Sequence, residues 1–475
     1  MTIFSRLLDN RITNAVRIFV LRDLIPRFPL ALIRLLPRTL VRRVYEACTP
    51  YSNGGRVDMY RHLRREKIMQ RVFRDRNIPQ RPGRDLSQGK IRIGFIAPFA
   101  NLLGFPQELF EKYPDNVDLF TYDVTRIYDN PASAFATFSQ YRDLDLPLGP
   151  YYDSSDCTET ARRINEDQLD GLIQFRCKWD AGLLLDQVTT PNILSINCGS
   201  APQIHDKIRY QSFVQKEYPF TIRDGYVYDL NRDAYYSKDF KVSSDLFYFD
   251  KRGIEPIEPS LDVIRNKKNQ IIFTGSSYKL NSGIFAEVIC SVLKKDKTLR
   301  FLYYIRGTPD VQESVANQFK RHGVLGQTEH RGHYTNWKDD EGNLVDQEGW
   351  NRARHDMEES RLFMNSFPMC GASSVFEQFV LCTPVVHLNL RDEEWDPELQ
   401  YVKLEMLLTE TGTAKSVSKY EDLCAAVLKD DDLAFKIIEE QHRLVMNKWG
   451  NPAHFWNEII NCIRASQELC DRGFK

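Results

Sequence analysis

The chain has 475 residues, 42% apolar and 27% charged, with a formal net charge of −1. This is the composition of an ordinary soluble globular protein, and the length calls for two or three domains. No run of about 18 uninterrupted apolar residues occurs, so no transmembrane helix is expected, and the start lacks the pattern of a secretory signal. The near-zero total hides an asymmetry. Residues 1–90 hold 20 Lys and Arg against 7 Asp and Glu, a net of +13, while the remainder carries −14. The ten cysteines are scattered singly, several of them inside apolar patterns. That argues for reduced thiols and a cytoplasmic setting, not a disulfide framework.

Residues 3–47 alternate apolar residues with arginine, and Pro26, Pro29 and Pro37 cut them into short helices. Such a segment suits either a helical subdomain packed on the acidic body or a peripheral contact with an anionic membrane surface. A nucleic-acid partner is not expected, because the basic charge is not interleaved with stacking aromatics. Residues 79–90 read as a linker.

From Lys90 the pattern changes to alternating strands and helices. Strands are expected at 91–97, 117–123, 169–175 and 192–197, with helices near 107–112, 158–166 and 181–187. This order predicts a doubly wound parallel sheet with its ligand loops at 98–104, 175–180 and 198–210. A polar stretch, about 231–269, leads to a second such sheet. Its strands are expected at 270–274, 299–305, 362–365 and 385–388, with helices at 284–293, 311–323, 352–359 and 372–381. Amphipathic helices at 420–428, 433–448 and 455–468 close the chain. The expected division is 1–90, 91–265 and 266–475.

The loop between the strand at 362–365 and its helix contains Pro368, Gly371, Ala372, Ser373 and Ser374, with Glu377 one turn into the helix. Free backbone N–H groups and the dipole at a helix start favour an anion. The same two serines would also serve as simple caps.

Two open sheets in tandem, the second ending in helices, suggest the GT-B architecture, and motifs add to that. Phe273-Thr-Gly-Ser-Ser-Tyr-Lys-Leu-Asn281 resembles a segment of the O-GlcNAc transferase family, which includes bacterial cytoplasmic protein N-glucosyltransferases. Leu362-Phe-Met-Asn-Ser-Phe-Pro-Met-Cys-Gly-Ala-Ser-Ser-Val-Phe-Glu377 resembles that family's strand, phosphate loop, hydroxyl pair and acid. The resemblance covers roughly residues 91–465. It implies a metal-independent glycosyltransferase, hexosyl or N-acetylhexosaminyl, that takes a UDP-sugar donor and a protein or glycan acceptor. By the same resemblance Lys279 meets the donor diphosphate, Ser276 and Ser277 line its loop, and Ser373 and Ser374 with the helix end complete the clamp. Glu377 contacts ribose hydroxyls, and His330 and His333 sit where the nucleotide base is held. A cation opposite the leaving diphosphate has a clear task, since negative charge grows there in the transition state.

Two departures stand out. The loop after the first strand, Ala97-Pro-Phe-Ala-Asn-Leu-Leu-Gly104, lacks the family's histidine, and Ala372 replaces another. His205 is the remaining histidine among the strand-end loops of the first sheet, a candidate base or acceptor-orienting group with Asp206 beside it. The absences also open an alternative, a glycosyltransferase-like assembly or secretion partner without catalysis. Asp143-Leu-Asp145 and Asp430-Asp-Asp432 match a metal-nucleotide pattern but read as solvated turns, and no histidine set has a metal-ligand spacing.

Overall fold

The computed structural model describes residues 78–97, 107–123, 141–143, 157–175, 181–197, 205–213, 216–217, 220–236, 238, 240–243, 245–249, 254–280, 283–306, 309–334, 346–367, 370–371, 373–390, 402–403 and 407–471. The segment 3–47, the loop 98–104, Pro368 and Ala372 lie outside the described residues.

The strands run in chain order as Ile91–Ala97 (β1), Val117–Asp123 (β2), Tyr141–Asp143 (β3), Gly171–Phe175 (β4), Asn192–Asn197 (β5) and Ile208–Phe213 (β6), then Lys216–Glu217 (β7), Phe220–Arg223 (β8), Tyr226–Asp229 (β9), Ala234–Tyr235 (β10) and Lys241–Val242 (β11). The second half adds Lys268–Ser276 (β12), Arg300–Arg306 (β13), Thr328–His330 (β14), Ser360–Met364 (β15), Val385–Leu388 (β16), Val402–Lys403 (β17) and Thr413–Ala414 (β18).

Three sheets result. The first is parallel, in the order β11-β6-β5-β4-β1-β2-β3. The last is also parallel, in the order β14-β13-β12-β15-β16-β18. Their strands are apolar runs because helices cover both faces; all five residues of β4 and of β15 are buried. In the last sheet the chain moves outward from β12 through β13 to β14, then returns to start again at β15 on β12's other side. Ligands of such sheets bind at the carboxyl ends of the strands where the order reverses. Here that place is between β12 and β15.

The structure departs from expectation in three places. Residues 198–210 do not form one loop, since β6 begins at Ile208. Between the parallel sheets lies a small antiparallel one, β10-β9-β8-β7-β17. It is built around Asp224-Gly225, both at positive φ (51° and 77°), the turn that a tight hairpin requires. The remaining departure concerns the last helix, Pro452–Asp471, which does not close the second sheet. It packs on the first. Phe455, Trp456, Ile459 and Ile463 share one buried cluster with Phe95, Phe110, Ile173 and Ile196. The first lobe is thus completed from the far end of the chain. Asp430 is exposed between two helices and caps the second, accepting from Leu433 N–H, and Asp431 pairs with buried Arg361 at 2.7 Å. Among the described residues no helix is long and apolar enough to cross a membrane.

Candidate active site

The loops after β12 and β15 open on the same sheet edge, because the two strands are parallel neighbours in register at Ile271 with Leu362 and Ile272 with Phe363. β12 runs into Gly275 and Ser276, then a short turn of helix, Ser277–Leu280, that carries Lys279. After β15 the chain passes Asn365 and Gly371 and enters the helix Ser373–Val380. The two loops meet. Lys279 Nζ donates to the carbonyl of Cys370 at 2.8 Å, across 91 residues of sequence. Lys279 is half-buried, and loss of water lowers its ammonium pKa below the ordinary value, opposed by the Cys370 side chain. A cation held this way gains most from an anion that arrives without its own water.

Gly371 is needed for a close approach. A Cβ there would lie 3.0 Å from Asn365 Oδ1 and 3.1 Å from Ser374 Oγ. Ser374 is half-buried on the first turn of the helix, and Ser373 opens that helix. Ser276 and Ser277 are half-buried on the β12 side.

Glu377 is 1% exposed. Its Oε2 accepts from the hydroxyl of Tyr334 at 2.9 Å. This bond brings the segment after β14 against the helix Ser373–Val380. At the end of β14 the His330 ring stacks on Tyr303 at 5.1 Å between centroids, and its Nε2 is buried with no protein partner. His333 is exposed, with its ring 6.4 Å from that of Tyr334. Tyr334, the last residue of the Glu329-His-Arg-Gly-His-Tyr334 run, is a partner of Glu377 that sequence reasoning passed over. Behind it, the Tyr304 hydroxyl donates to Asp356 at 2.5 Å, and burial followed by that carboxylate pushes the phenol well up.

Beneath the loop, His387 is buried and burial pushes its imidazole down to about 3. Unfolded, it takes up a proton near 6.5, so the native state, which keeps it neutral, loses stability as pH falls below that value toward 3. Urea midpoints are therefore expected to fall between pH 7 and pH 4, with His387→Gln flattening that slope.

On the first sheet, His205 does not line a surface. It is 3% exposed, with Nε2 3.2 Å from Asp186 Oδ1 and Nδ1 accepting from Lys207 N–H at 3.1 Å. Lys207, also buried, donates Nζ to the carbonyls of Leu185, Asp186 and Val188 at the end of the helix Ala181–Gln187. A cation there satisfies carbonyls that the helix leaves open and meets the negative end of its dipole. The cluster is a cap, and His205 is a strut within it. His205→Ala is expected to cost about 1–3 kcal/mol in urea denaturation, the usual range for breaking a buried polar pair.

Neither a family model nor a curated protein matches the sequence. Solved structures do. A mutant O-GlcNAc transferase of Thermobaculum terrenum superposes with a TM-score of 0.61 at 12% identity, over 92% of this chain and 80% of that one. The fold is GT-B. Two others have TM-scores below 0.5 and add nothing to the assignment. They are a glycosyltransferase from Rickettsia africae (0.49, 11% identity, 79% of this chain and 98% of that one) and HepE of Anabaena in complex with UDP and glucose (0.45, 10%, 79% and 100%). At such identities the likeness is one of fold. In GT-B terms, the β12 and β15 loops belong to the C-terminal lobe, and His205 lies inside the N-terminal lobe.

Proposed function

We propose that the chain is a glycosyltransferase that takes a nucleoside-diphosphate sugar, a UDP-sugar, and passes its sugar to a protein or glycan acceptor. The observation that carries this is the contact of Lys279 Nζ with the Cys370 carbonyl. It joins the two loops at the reversal point of the sheet and sets a cation beside a helix N-terminus. In this reading Lys279 and the amides at the helix start take up the charge that grows on the β-phosphate as the glycosidic bond breaks. Ser276, Ser277, Ser373 and Ser374 supply hydroxyls around the diphosphate. Glu377, oriented by Tyr334, accepts from the ribose hydroxyls, and His330 and His333 flank the base. A lysine and a helix dipole supply the positive charge that a divalent cation supplies elsewhere, so turnover in excess EDTA is expected to equal that in its absence. Cys290, Cys382, Cys424 and Cys462 are buried free thiols, which suits a reducing setting. Peripheral membrane contact through residues 3–47 would show as vesicle binding lost on their removal.

Calorimetry and thermal denaturation with UDP test the donor assignment. A ligand at a hundredfold its Kd adds about 2.7 kcal/mol to the folded state. Neither heat nor a rise in Tm at millimolar UDP would sink it. A second reading rests on His205. It is the single histidine between residues 91 and 265, and it is enclosed in a structural cluster. A GT-B protein that binds UDP yet shows no hydrolysis or transfer would be a binding or assembly partner instead.

A further inference from the structure

Asn365 follows β15 directly, is 4% exposed, and has all four of its polar atoms engaged. Its backbone N–H donates to Val386 O at 3.1 Å, and its carbonyl accepts from the Tyr420 hydroxyl at 2.9 Å. Its side-chain Oδ1 accepts from Gly371 N–H at 2.6 Å. Its Nδ2 lies 3.0 Å from His387 Nδ1. The Gly371 bond fixes which end of the amide carries oxygen. The amide nitrogen therefore faces His387, and the ring nitrogen opposite must accept. That places the imidazole proton on Nε2, an atom buried without a protein partner.

The Cys370–Gly371 peptide is thus held on both edges. Its carbonyl receives Lys279 Nζ at 2.8 Å and its N–H is taken by Asn365 at 2.6 Å. A trans peptide presents these two groups in opposite directions, so the plane cannot rotate while both bonds stand.

We propose that Asn365, locked by His387, is a positioning residue of the donor site that orients the Cys370–Gly371 peptide and, through it, the Lys279 ammonium. It touches no substrate. The inference rests on the diphosphate assignment above, and the experiment separates the two. If wild-type protein binds no UDP, the donor assignment fails first. With binding established, Asn365→Ala is expected to weaken UDP by about 10- to 100-fold, the range typical when a group that supports a direct ligand contact is removed. Uridine, which has no phosphates, is expected to bind the variant as it binds wild type. The loss is also expected to be non-additive with Lys279→Ala, because both act through one peptide. Equal weakening of UDP and uridine, or additive losses, would overturn the proposal by pointing to general loosening of the lobe. Amide hydrogen exchange on unliganded wild-type protein gives an arm that no folding defect of the variant can spoil. Gly371 N–H is expected to be protected before any ligand is added, and exchange at open-loop rates would refute the proposal.

Discussion

Lys279→Ala is expected to lower kcat for sugar transfer by about 10²- to 10³-fold, the usual cost of removing one pre-placed charge-stabilising group, and to raise the donor KM by much less. The asymmetry follows from when the charge appears. A bound UDP-sugar already carries its diphosphate charge, but the bridging oxygen becomes anionic only as the sugar departs, and interactions made in that state govern turnover. Lys279 is suited to the task because its ammonium is already partly withdrawn from water and donates to the Cys370 carbonyl at 2.8 Å. Little solvent has to reorganise when the leaving group forms. Steady-state kinetics with a fixed acceptor and varied donor reads both constants. A variant with unchanged kcat would place the diphosphate contact elsewhere, and one with raised KM alone would make the lysine a ground-state binder only. Lys279→Arg is not expected to rescue fully, since a planar guanidinium fork does not place its charge as a compact ammonium does.

Trp456→Ala is expected to be the most damaging single change to stability, at about 3–5 kcal/mol for truncating a fully buried tryptophan. Trp456 is 0% exposed, its ring meets Phe95 edge to face at 5.5 Å, and its Nε1–H donates to Leu109 O at 2.9 Å. Truncation removes the packing and leaves a buried carbonyl with one fewer donor. The neighbouring contact is as tight. A Cβ on Gly171 in β4 would come within 2.4 Å of Ile463 Cδ1, so the last helix lies directly on the strand backbone. Because that helix comes from the end of the chain, the first lobe is not complete until the second has been made. Denaturation followed separately by tryptophan fluorescence and by far-ultraviolet dichroism is expected to show the first lobe melting early in the variant. A single coincident transition, shifted by less than 1 °C, would contradict the anchoring role assigned to Trp456.

The parallel strands were legible in the chain because burial on both faces leaves nearly unbroken apolar runs, as in Ile91–Ala97 and Gly171–Phe175. The helix start at Ser373 was legible for a local reason too: a glycine and two hydroxyls ahead of an apolar pattern are cap chemistry. One feature could have been read and was not. Asp224-Gly225 between Phe220-Thr-Ile-Arg223 and Tyr226-Val-Tyr-Asp229 is a hairpin signal, hidden because the flanking strands are only four residues long. Other features were beyond any local pattern. The amphipathic period of Pro452–Asp471 says that one face is buried, not against which lobe. His205 looks the same in sequence whether it faces solvent or seals a helix end beside Asp186 and Lys207. Asn365 and His387 sit in apolar runs, and only their mutual geometry shows that they hold Gly371.

By itself the sequence determined the parallel strands, the helix starts and the residue types at each loop, since these depend on neighbours a few residues away. The tertiary structure decided which loops meet. Lys279 and Cys370 come together because the chain crosses back to lay β15 beside β12, and strand adjacency is a property of the whole sheet.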